Sequence, residues 1–153
     1  MTTGDELQFV LFRLGTQSFA LSIFQVERIL RYEPPAALPN APDFLEGVVP
    51  YGTGVVPLVD LRKRLGLPAE LREETRVMVL QLEEQHVAVV VDQVLEVLRV
   101  DTRTITPPPP MVRGLAAEYI SGIIARPGRT TVVLNAARLL SSTERLALTE
   151  ALP

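Results

Sequence analysis

The sequence contains no cysteine and only one histidine, His86, among its 153 residues. Without cysteine, neither a disulfide framework nor a thiolate metal site can form, and this suits a reducing cytosol. A metal at His86 would have only carboxylate co-ligands, so we expect no metal site. His86 could serve as a catalytic base, but we interpret it as a half-exposed residue at a hairpin edge.

Basic and aromatic residues are also scarce. The chain has 15 Lys and Arg residues and 18 Asp and Glu residues, so its net charge is −3, and aromatic residues make up 5% of it. A barrel that binds single-stranded nucleic acid needs a basic groove lined with aromatic stacking platforms. Nucleic acid is therefore a disfavoured partner, and a nucleic-acid-binding barrel is kept only as an alternative.

Long apolar segments are missing as well. No apolar run approaches the roughly 20 residues that cross a bilayer. The acidic N-terminus, from Met1 to Glu6, lacks the basic and apolar regions of a secretory signal. We predict a cytoplasmic protein with no direct membrane insertion, whose 47% hydrophobic content indicates one folded domain with a real core.

The stretch Tyr51-Gly52-Thr53-Gly54 has two glycines of the kind that a phosphate-binding loop uses. Such a loop needs a lysine, a serine or threonine, and then a helix. Here a strand-like run from Val55 to Val59 follows instead, and the third glycine of a dinucleotide fingerprint is missing. We interpret both glycines as turn residues between two strands.

Catalytic groups do not form a recognisable set. No serine lies in a G-x-S-x-G elbow. The paired acids Glu73-Glu74 and Glu83-Glu84 lie in polar connecting segments, where solvated residues are far commoner than general acids. We predict no enzymatic activity and no cofactor, with a carboxylate-only active site as the alternative.

Short β-type segments dominate the pattern. Residues 18–23 alternate between large apolar and small side chains, as a strand with one buried face does. Four hairpins are predicted, with strands at 9–14 and 18–23, 48–49 and 55–59, 76–82 and 86–91, and 120–125 and 130–134, and an extra strand at 96–100. This pattern indicates a mainly β, barrel-like protein.

Helices are predicted to be few and short. Residues 25–31 place Val26, Ile29 and Leu30 at helical spacing, which predicts a helix there. Asp60 is expected to cap a helix over residues 61–65 that Gly66 closes. The other predicted helix starts are Asn135, before residues 136–140, and the capping box at 141–144.

Proline marks the connecting segments. Pro107 to Pro110 are four consecutive prolines, which impose an extended segment because φ is fixed and no backbone donor remains. We favour a stiff connector between two halves of the fold over a ligand for an aromatic-lined groove.

Several segments carry a more specific pattern. They are Phe9-Val10-Leu11-Phe12, Phe19-Ala20-Leu21, Val26-Glu27-Arg28-Ile29, Leu38-Pro39-Asn40-Ala41-Pro42, Gly47-Val48-Val49, Val56-Pro57-Leu58-Val59-Asp60-Leu61-Arg62, Val90-Val91-Asp92-Gln93-Val94-Leu95-Glu96-Val97, Glu118-Tyr119-Ile120-Ser121-Gly122, and Leu134-Asn135 to Leu139-Leu140. In order and spacing they resemble the CheW-like coupling proteins of bacterial chemotaxis, from about residue 9 to residue 148.

The resemblance implies a fold of two packed five-stranded SH3-like β-barrels with a few short helices. It implies a single domain over residues 7–148, with tails at 1–6 and 149–153. It also implies a non-catalytic adaptor that couples chemoreceptors to a CheA-type histidine kinase. The regulatory domain of such a kinase has the same fold, and the cytoplasmic helical tip of the receptor binds at the groove between the barrels.

Two positions depart from the family pattern. Gly52 stands where the family usually has an arginine, and Arg28 stands where it usually has a glutamate. The family keeps this acid and base close together near the groove. An arginine at position 28 would be repelled by an arginine at position 52, so the two changes are coupled if the glycine at 52 avoids that repulsion. Coupling predicts altered partner choice, as in a divergent array or another kinase pathway such as surface motility. The alternative is drift of a surface pair worth about 0 to 1 kcal/mol.

The predicted partner-binding residues are of two kinds. The apolar candidates for the groove are Val26, Ile29, Val55, Pro57, Val94 and Val97, each with plain barrel core as its competing role. The other candidates are Arg28, Tyr51, Gly52 and Arg62, and we expect Arg62 to be free to meet a partner. Pro57 is expected on an edge strand or at a bulge, because a central strand needs every N–H.

Overall fold

The computed structural model describes residues 6–41, 44–83, 85–108 and 119–139, which are mainly β-strand. The strands are β1 (Glu6–Leu14), β2 (Gln17–Ser22), β3 (Val26–Arg31), β4 (Leu45–Tyr51), β5 (Gly54–Asp60), β6 (Arg76–Leu82), β7 (Gln85–Val91), β8 (Gln93–Asp101), β9 (Ile105–Thr106), β10 (Ile120–Arg126) and β11 (Arg129–Leu134). The described helical elements are α1 (Leu61–Arg64) and two 3-10 turns, Thr102–Thr104 and Ala136–Arg138.

The strands form two sheets that each curl towards a barrel. The first barrel has the order β8-β1-β2-β11-β10-β9, and the second has the order β3-β6-β7-β5-β4. The first is closed by the chain itself, which runs from β8 through a 3-10 turn into β9, and by the ion pair of Arg126 with Glu96 at 3.3 Å. The second is closed where Ala36 and Val48 exchange two backbone hydrogen bonds of 2.9 Å. The two-barrel prediction is confirmed, with the short strand β9 added to the first barrel.

Closure of the second barrel depends on Gly47. Its φ is 147°, a conformation that residues with a side chain rarely adopt. A Cβ at this position would collide with the carbonyl oxygen of Ala36, the group that accepts the closing hydrogen bond from Val48. Only glycine therefore lets the two edges approach.

The central strands bury side chains on both faces. In β7, Val87, Val89 and Val91 belong to a large apolar cluster shared by both sheets, whereas Ala88 and Val90 point into the second barrel. Strand β1 divides its residues in the same way between the shared cluster and the interior of the first barrel. This two-sided burial explains why these strands are almost continuously apolar in sequence. We call the layer that holds the shared cluster the seam.

The predicted helix over residues 25–31 is wrong, because this segment is β3. A bulge between Val26 and Arg28 places Val26 opposite Leu80 and Ile29 opposite Met78 on β6. Leu80 and Met78 both face the seam. The extra residue of the bulge therefore puts Val26 and Ile29 on one face at a spacing of three, which imitates helical periodicity.

The other predicted elements that lie within the described residues agree with the structure in position, although the helix predicted from residue 136 is a 3-10 turn over Ala136–Arg138. The four predicted hairpins are β1/β2, β4/β5, β6/β7 and β10/β11, and the extra strand is part of β8. Asp60 caps α1 by accepting a 2.9 Å hydrogen bond from the N–H of Arg62, and Gly66 follows with a φ of 73°. Asn135 caps the 3-10 turn that follows it. The capping box at 141–144 and Pro109 and Pro110 lie outside the described residues.

Candidate partner-binding surface

Strand β3 forms one apolar margin of the seam. It is the edge strand of the second barrel, and its Val26 and Ile29 lie opposite Leu80 and Met78. Side chains of directly opposed residues share a face of the sheet, so both residues point to the seam side. Val26 packs partly buried against the shared cluster, whereas Ile29 is 42% exposed.

Strand β8 forms the matching margin on the first barrel. It is the edge of that sheet, with Val94 opposite Phe12 and Val97 opposite Val10. Both of those partners belong to the shared cluster, so Val94 and Val97 also face the seam. Val94 packs against the cluster and Val97 is 54% exposed. We call Val26, Ile29, Val94 and Val97 the seam edge.

The structure separates Val55 and Pro57 from the seam edge. Both lie on β5, which β6 and β7 separate from β3 in the sheet. Val55 is exposed, but Pro57 is buried. The expectation of an edge strand or a bulge at Pro57 is wrong, because β5 lies between β7 and β4.

A central strand accepts Pro57 for a local reason. The opposite residue on β4, Val48, directs its N–H and C=O away from β5 to Ala36. On the other side of β5, pairing with β7 begins only at Leu58. Neither neighbour therefore requires an N–H from Pro57.

A polar cluster occupies the rim of the second barrel, where the bulge of β3 meets the ends of β4 and β7. His86 Nε2 lies 2.6 Å from Glu27 Oε2, and the rings of Tyr51 and His86 are 5.7 Å apart. Partial burial raises the pKa of Tyr51, a hydrogen bond with Glu27 raises it further, and the nearby Arg28 guanidinium opposes this shift. We call Glu27, Arg28, Tyr51 and His86 the rim cluster.

Gly52 follows Tyr51 at the first position of the turn between β4 and β5. Its φ is 60°, which suits a two-residue hairpin turn that begins with glycine. A Cβ added there would meet no atom within 4 Å. Because Tyr51 interacts with Arg28, the two positions that depart from the family pattern, 28 and 52, lie in one neighbourhood.

The expectation that Arg62 is free to meet a partner is wrong, because the side chain is only 2% exposed. Its Nε and Nη2 donate to the two carboxylate oxygens of Asp60 at 3.0 and 2.9 Å, and Nη1 donates to Asp92 Oδ1 at 2.9 Å. Nη1 also donates to the carbonyl oxygen of Glu70 at 2.5 Å. These carboxylates raise the pKa of Arg62, with the hydrogen bond to Asp60 as the largest cause.

The network around Arg62 also joins the two barrels. Asp92, between β7 and β8, accepts a 2.6 Å hydrogen bond from the N–H of Gly15 in the β1–β2 turn, and its own N–H donates to the Arg13 carbonyl at 3.0 Å. The Asp60-Leu61-Arg62 sequence is therefore an internal structural motif. The role of Asp92 is not visible in sequence because its partners lie far away along the chain.

Phe24 is a surface residue that the sequence analysis missed. It is 83% exposed in the turn between β2 and β3. The sequence did contain a signal for its exposure. Large apolar and small side chains alternate over residues 18–23, and Phe24, coming directly after Ile23, breaks this alternation.

Two other kinds of site are not formed by the described residues. Ranges 6–41, 44–83, 85–108 and 119–139 contain no group of three or more His, Cys, Asp or Glu residues that could hold a metal ion. Within the same ranges, no helix has the length and apolarity needed to cross a membrane.

Comparison with known proteins agrees with this architecture. The family model for the CheW-like domain matches residues 8–144. The chain belongs to the CheW family. It is 34% identical to the chemotaxis protein CheW of Klebsiella aerogenes over 150 residues, which cover 97% of this chain and 89% of the relative. It is 30% identical to protein FrzA of Myxococcus xanthus over 146 residues, covering 94% and 91% of the two chains.

A solved CheW structure has the same fold. The crystal structure of the scaffolding protein TtCheW from Thermoanaerobacter tengcongensis superposes with a TM-score of 0.81 at 25% identity, covering 90% of this chain and 94% of that one. Membership of the CheW family confirms the prediction of a non-catalytic adaptor in bacterial chemosensory signalling.

Proposed function

We propose that this CheW-family chain couples the cytoplasmic helical tip of a chemoreceptor to the regulatory domain of a CheA-type histidine kinase. In this proposal residues 7–148 act as one domain of two barrel subdomains, with tails at 1–6 and 149–153, in the cytoplasm. The receptor tip binds the seam edge, and the kinase domain packs barrel to barrel against the adaptor.

The observation that carries the receptor half of the proposal is the seam edge itself. On two edge strands, Val26 and Val94 pack against the shared core, and Ile29 and Val97 on the same seam side remain substantially exposed. Clustered exposed apolar side chains beside a packed core are typical of protein-binding surfaces. A helix that lays an apolar face along this margin would bury them.

The test is a titration with a purified receptor-tip fragment from the same genome. Val97→Asp and Ile29→Asp place a charge on the seam edge, so each should weaken binding by about tenfold or more if the residue is an anchor. Leu71→Asp is the matched control, because Leu71 is exposed in the segment between α1 and β6. Equal affinities for the three variants and the wild type would contradict the proposed site.

The kinase half of the proposal rests on the rim cluster and the family fold. Arg28 and Tyr51 lie at the rim of the second barrel beside the Gly52 turn, where a second barrel of the same fold could pack against them. A pull-down with the purified kinase regulatory domain tests this contact. Arg28→Ala should weaken capture, Arg138→Ala at the 3-10 turn should not, and unchanged capture by the Arg28 variant would exclude the rim cluster.

A second candidate is an adaptor of a divergent array or of another kinase pathway, such as one for surface motility. It is favoured by the two departures, Arg28 and Gly52, which share one neighbourhood in the fold. The two candidates differ in their response to restoring the family residues at both positions. Because Arg28 lies between the seam-edge residues Val26 and Ile29 on β3, restoration also reaches the receptor surface. Stronger binding to a conventional receptor tip would favour the divergent adaptor, and unchanged binding would favour the ordinary one.

A further inference from the structure

Phe24 is exposed although its backbone is held firmly. Its side chain is 83% exposed, the largest value among the exposed large apolar residues of the described chain. Its N–H lies 3.3 Å from the hydroxyl oxygen of Ser22, which accepts the hydrogen bond, and the N–H of Gln25 donates to the Ser22 carbonyl at 2.9 Å. The exposure therefore does not come from an unsupported loop.

The turn that carries Phe24 is tied to both barrels. On one side of it, the N–H of Ile23 donates to the carbonyl of Gln8 on β1 at 3.0 Å. On the other side, the carbonyl of Gln25 accepts a 2.9 Å hydrogen bond from the N–H of Gln81 on β6. An apolar anchor held in this way loses little backbone freedom when a partner binds, which favours affinity.

Phe24 also forms one wall of a shallow pocket. The pocket has a volume of about 340 Å³ and is lined by Glu6, Leu7, Gln8, Phe24 and Arg99. Phe24 supplies the apolar side chain on the seam side, because Leu7 lies opposite Val100 and shares the face of β1 that points into the first barrel. Arg99 is exposed on β8, and within the described residues its guanidinium forms no ion pair, either with Glu6 or with another acid.

The pocket continues the seam edge. Arg99 lies opposite Gln8, and Val97 lies opposite Val10, so the two β8 side chains point to the same seam side. Phe24 directly precedes the start of β3, which carries Val26. The pocket thus lies between the beginning of β3 and the end of β8. A helix bound along the seam edge would reach the pocket with one of its ends.

We propose that Phe24 and Arg99 select the helical partner of the seam by receiving an apolar side chain and a neighbouring carboxylate from it. The apolar side chain packs against Phe24, and the carboxylate pairs with the Arg99 guanidinium. A planar guanidinium recognises a carboxylate through two parallel hydrogen bonds, and aromatic residues and arginine are enriched among energetically dominant contacts. The inference rests on the proposed function, since the partner is the receptor tip.

The experiment titrates the purified receptor-tip fragment into the full-length wild type and four variants. Phe24→Ala and Arg99→Glu should each weaken binding by about tenfold or more, as the loss of an anchor does. Leu71→Ala and Arg138→Glu are matched controls at an exposed apolar and an exposed basic position, and both should bind as the wild type does. Each acidic residue of the tip is then changed to lysine in turn, and one such tip should recover binding to Arg99→Glu.

The outcomes separate the inference from the proposed function. If the wild type does not bind the receptor tip, the proposed function and the inference about Phe24 and Arg99 are both overturned. If the wild type binds while Phe24→Ala and Arg99→Glu bind equally well, the proposed function stands and the inference is overturned. If no lysine-substituted tip recovers binding to Arg99→Glu, selection of a carboxylate is overturned; because that comparison uses Arg99→Glu alone, it holds even if Phe24→Ala fails to fold.

Discussion

Replacing Arg62 with alanine tests whether the buried ion network holds the two barrels together. The substitution removes four side-chain hydrogen bonds and leaves Asp60 and Asp92, each only 6% exposed, without their cation. Removing one partner of a buried ion pair typically costs about 3 to 5 kcal/mol, because the remaining charge stays desolvated. In a chain of this size, that loss lowers the unfolding temperature by about 6 to 20 °C.

The assay is thermal and urea unfolding followed by circular dichroism. Lys63→Ala is the matched control, because Lys63 is the next residue of α1 and forms an exposed ion pair with Glu46 at 2.9 Å. Such a surface pair contributes about 0 to 1 kcal/mol. If Arg62→Ala destabilises the protein no more than Lys63→Ala does, the network is not a stabilising link.

A rescue variant separates unpaired charge from lost packing. Combining Arg62→Met with Asp60→Asn and Asp92→Asn removes all three charges, and asparagine can still cap α1. Replacing a whole buried ion cluster by neutral groups is often tolerated, whereas breaking one member is not. The triple variant should therefore be more stable than Arg62→Ala. An equal or larger loss would show that packing of the Arg62 side chain, and not the unpaired carboxylates, carries the effect.

Three further predictions follow from other features of the structure. Gly47→Ala should destabilise the protein by more than about 1 kcal/mol in urea unfolding, since a Cβ there collides with the carbonyl that closes the second barrel. Gly52→Arg with Arg28→Glu should strengthen binding to a conventional receptor tip in a titration, although the φ of 60° should cost about 1 to 2 kcal/mol of stability. Asp101 should titrate with a pKa of about 2 in an NMR titration, because Arg103 bonds its carboxylate, and Arg103→Ala should return that pKa towards 3.8.

The sign of the Asp101 effect follows from its lowered pKa. The folded state favours the charged carboxylate, so its contribution to stability is present above the ordinary pKa of 3.8 and is lost as the pH falls through about 2. An unchanged Asp101 pKa in the Arg103→Ala variant would contradict the pairing of Asp101 with Arg103. Wild-type stability for Gly47→Ala would contradict the barrel closure, and unchanged tip affinity for the Gly52 and Arg28 double variant would remove the idea of coupled change.

The amino-acid pattern was sufficient for elements whose causes are local. The four hairpins follow from apolar runs and turn residues. Asp60 could be recognised as a helix cap because the N–H that it accepts from, that of Arg62, lies only two residues further along the chain. The local pattern misled at β3, where a bulge reproduces helical spacing in a strand. Periodicity reports only which residues share a face, and at residues 26–30 a helix and a bulged strand both give the observed spacing.

By itself, the sequence determined a mainly β, barrel-like protein without thiolate chemistry, since these properties depend on residue types and their spacing along the chain. The arrangement as two barrels was predicted from the resemblance to the CheW-like family. Only the tertiary structure decided that Arg62 is buried against Asp92, that Pro57 lies in a central strand, and that Phe24 stands in solvent beside Arg99. Each of these depends on how strands that are distant in the chain are ordered within a barrel and packed between the two barrels. Burial and pairing between residues distant in the chain are properties of that packing, so a one-dimensional pattern could not specify them.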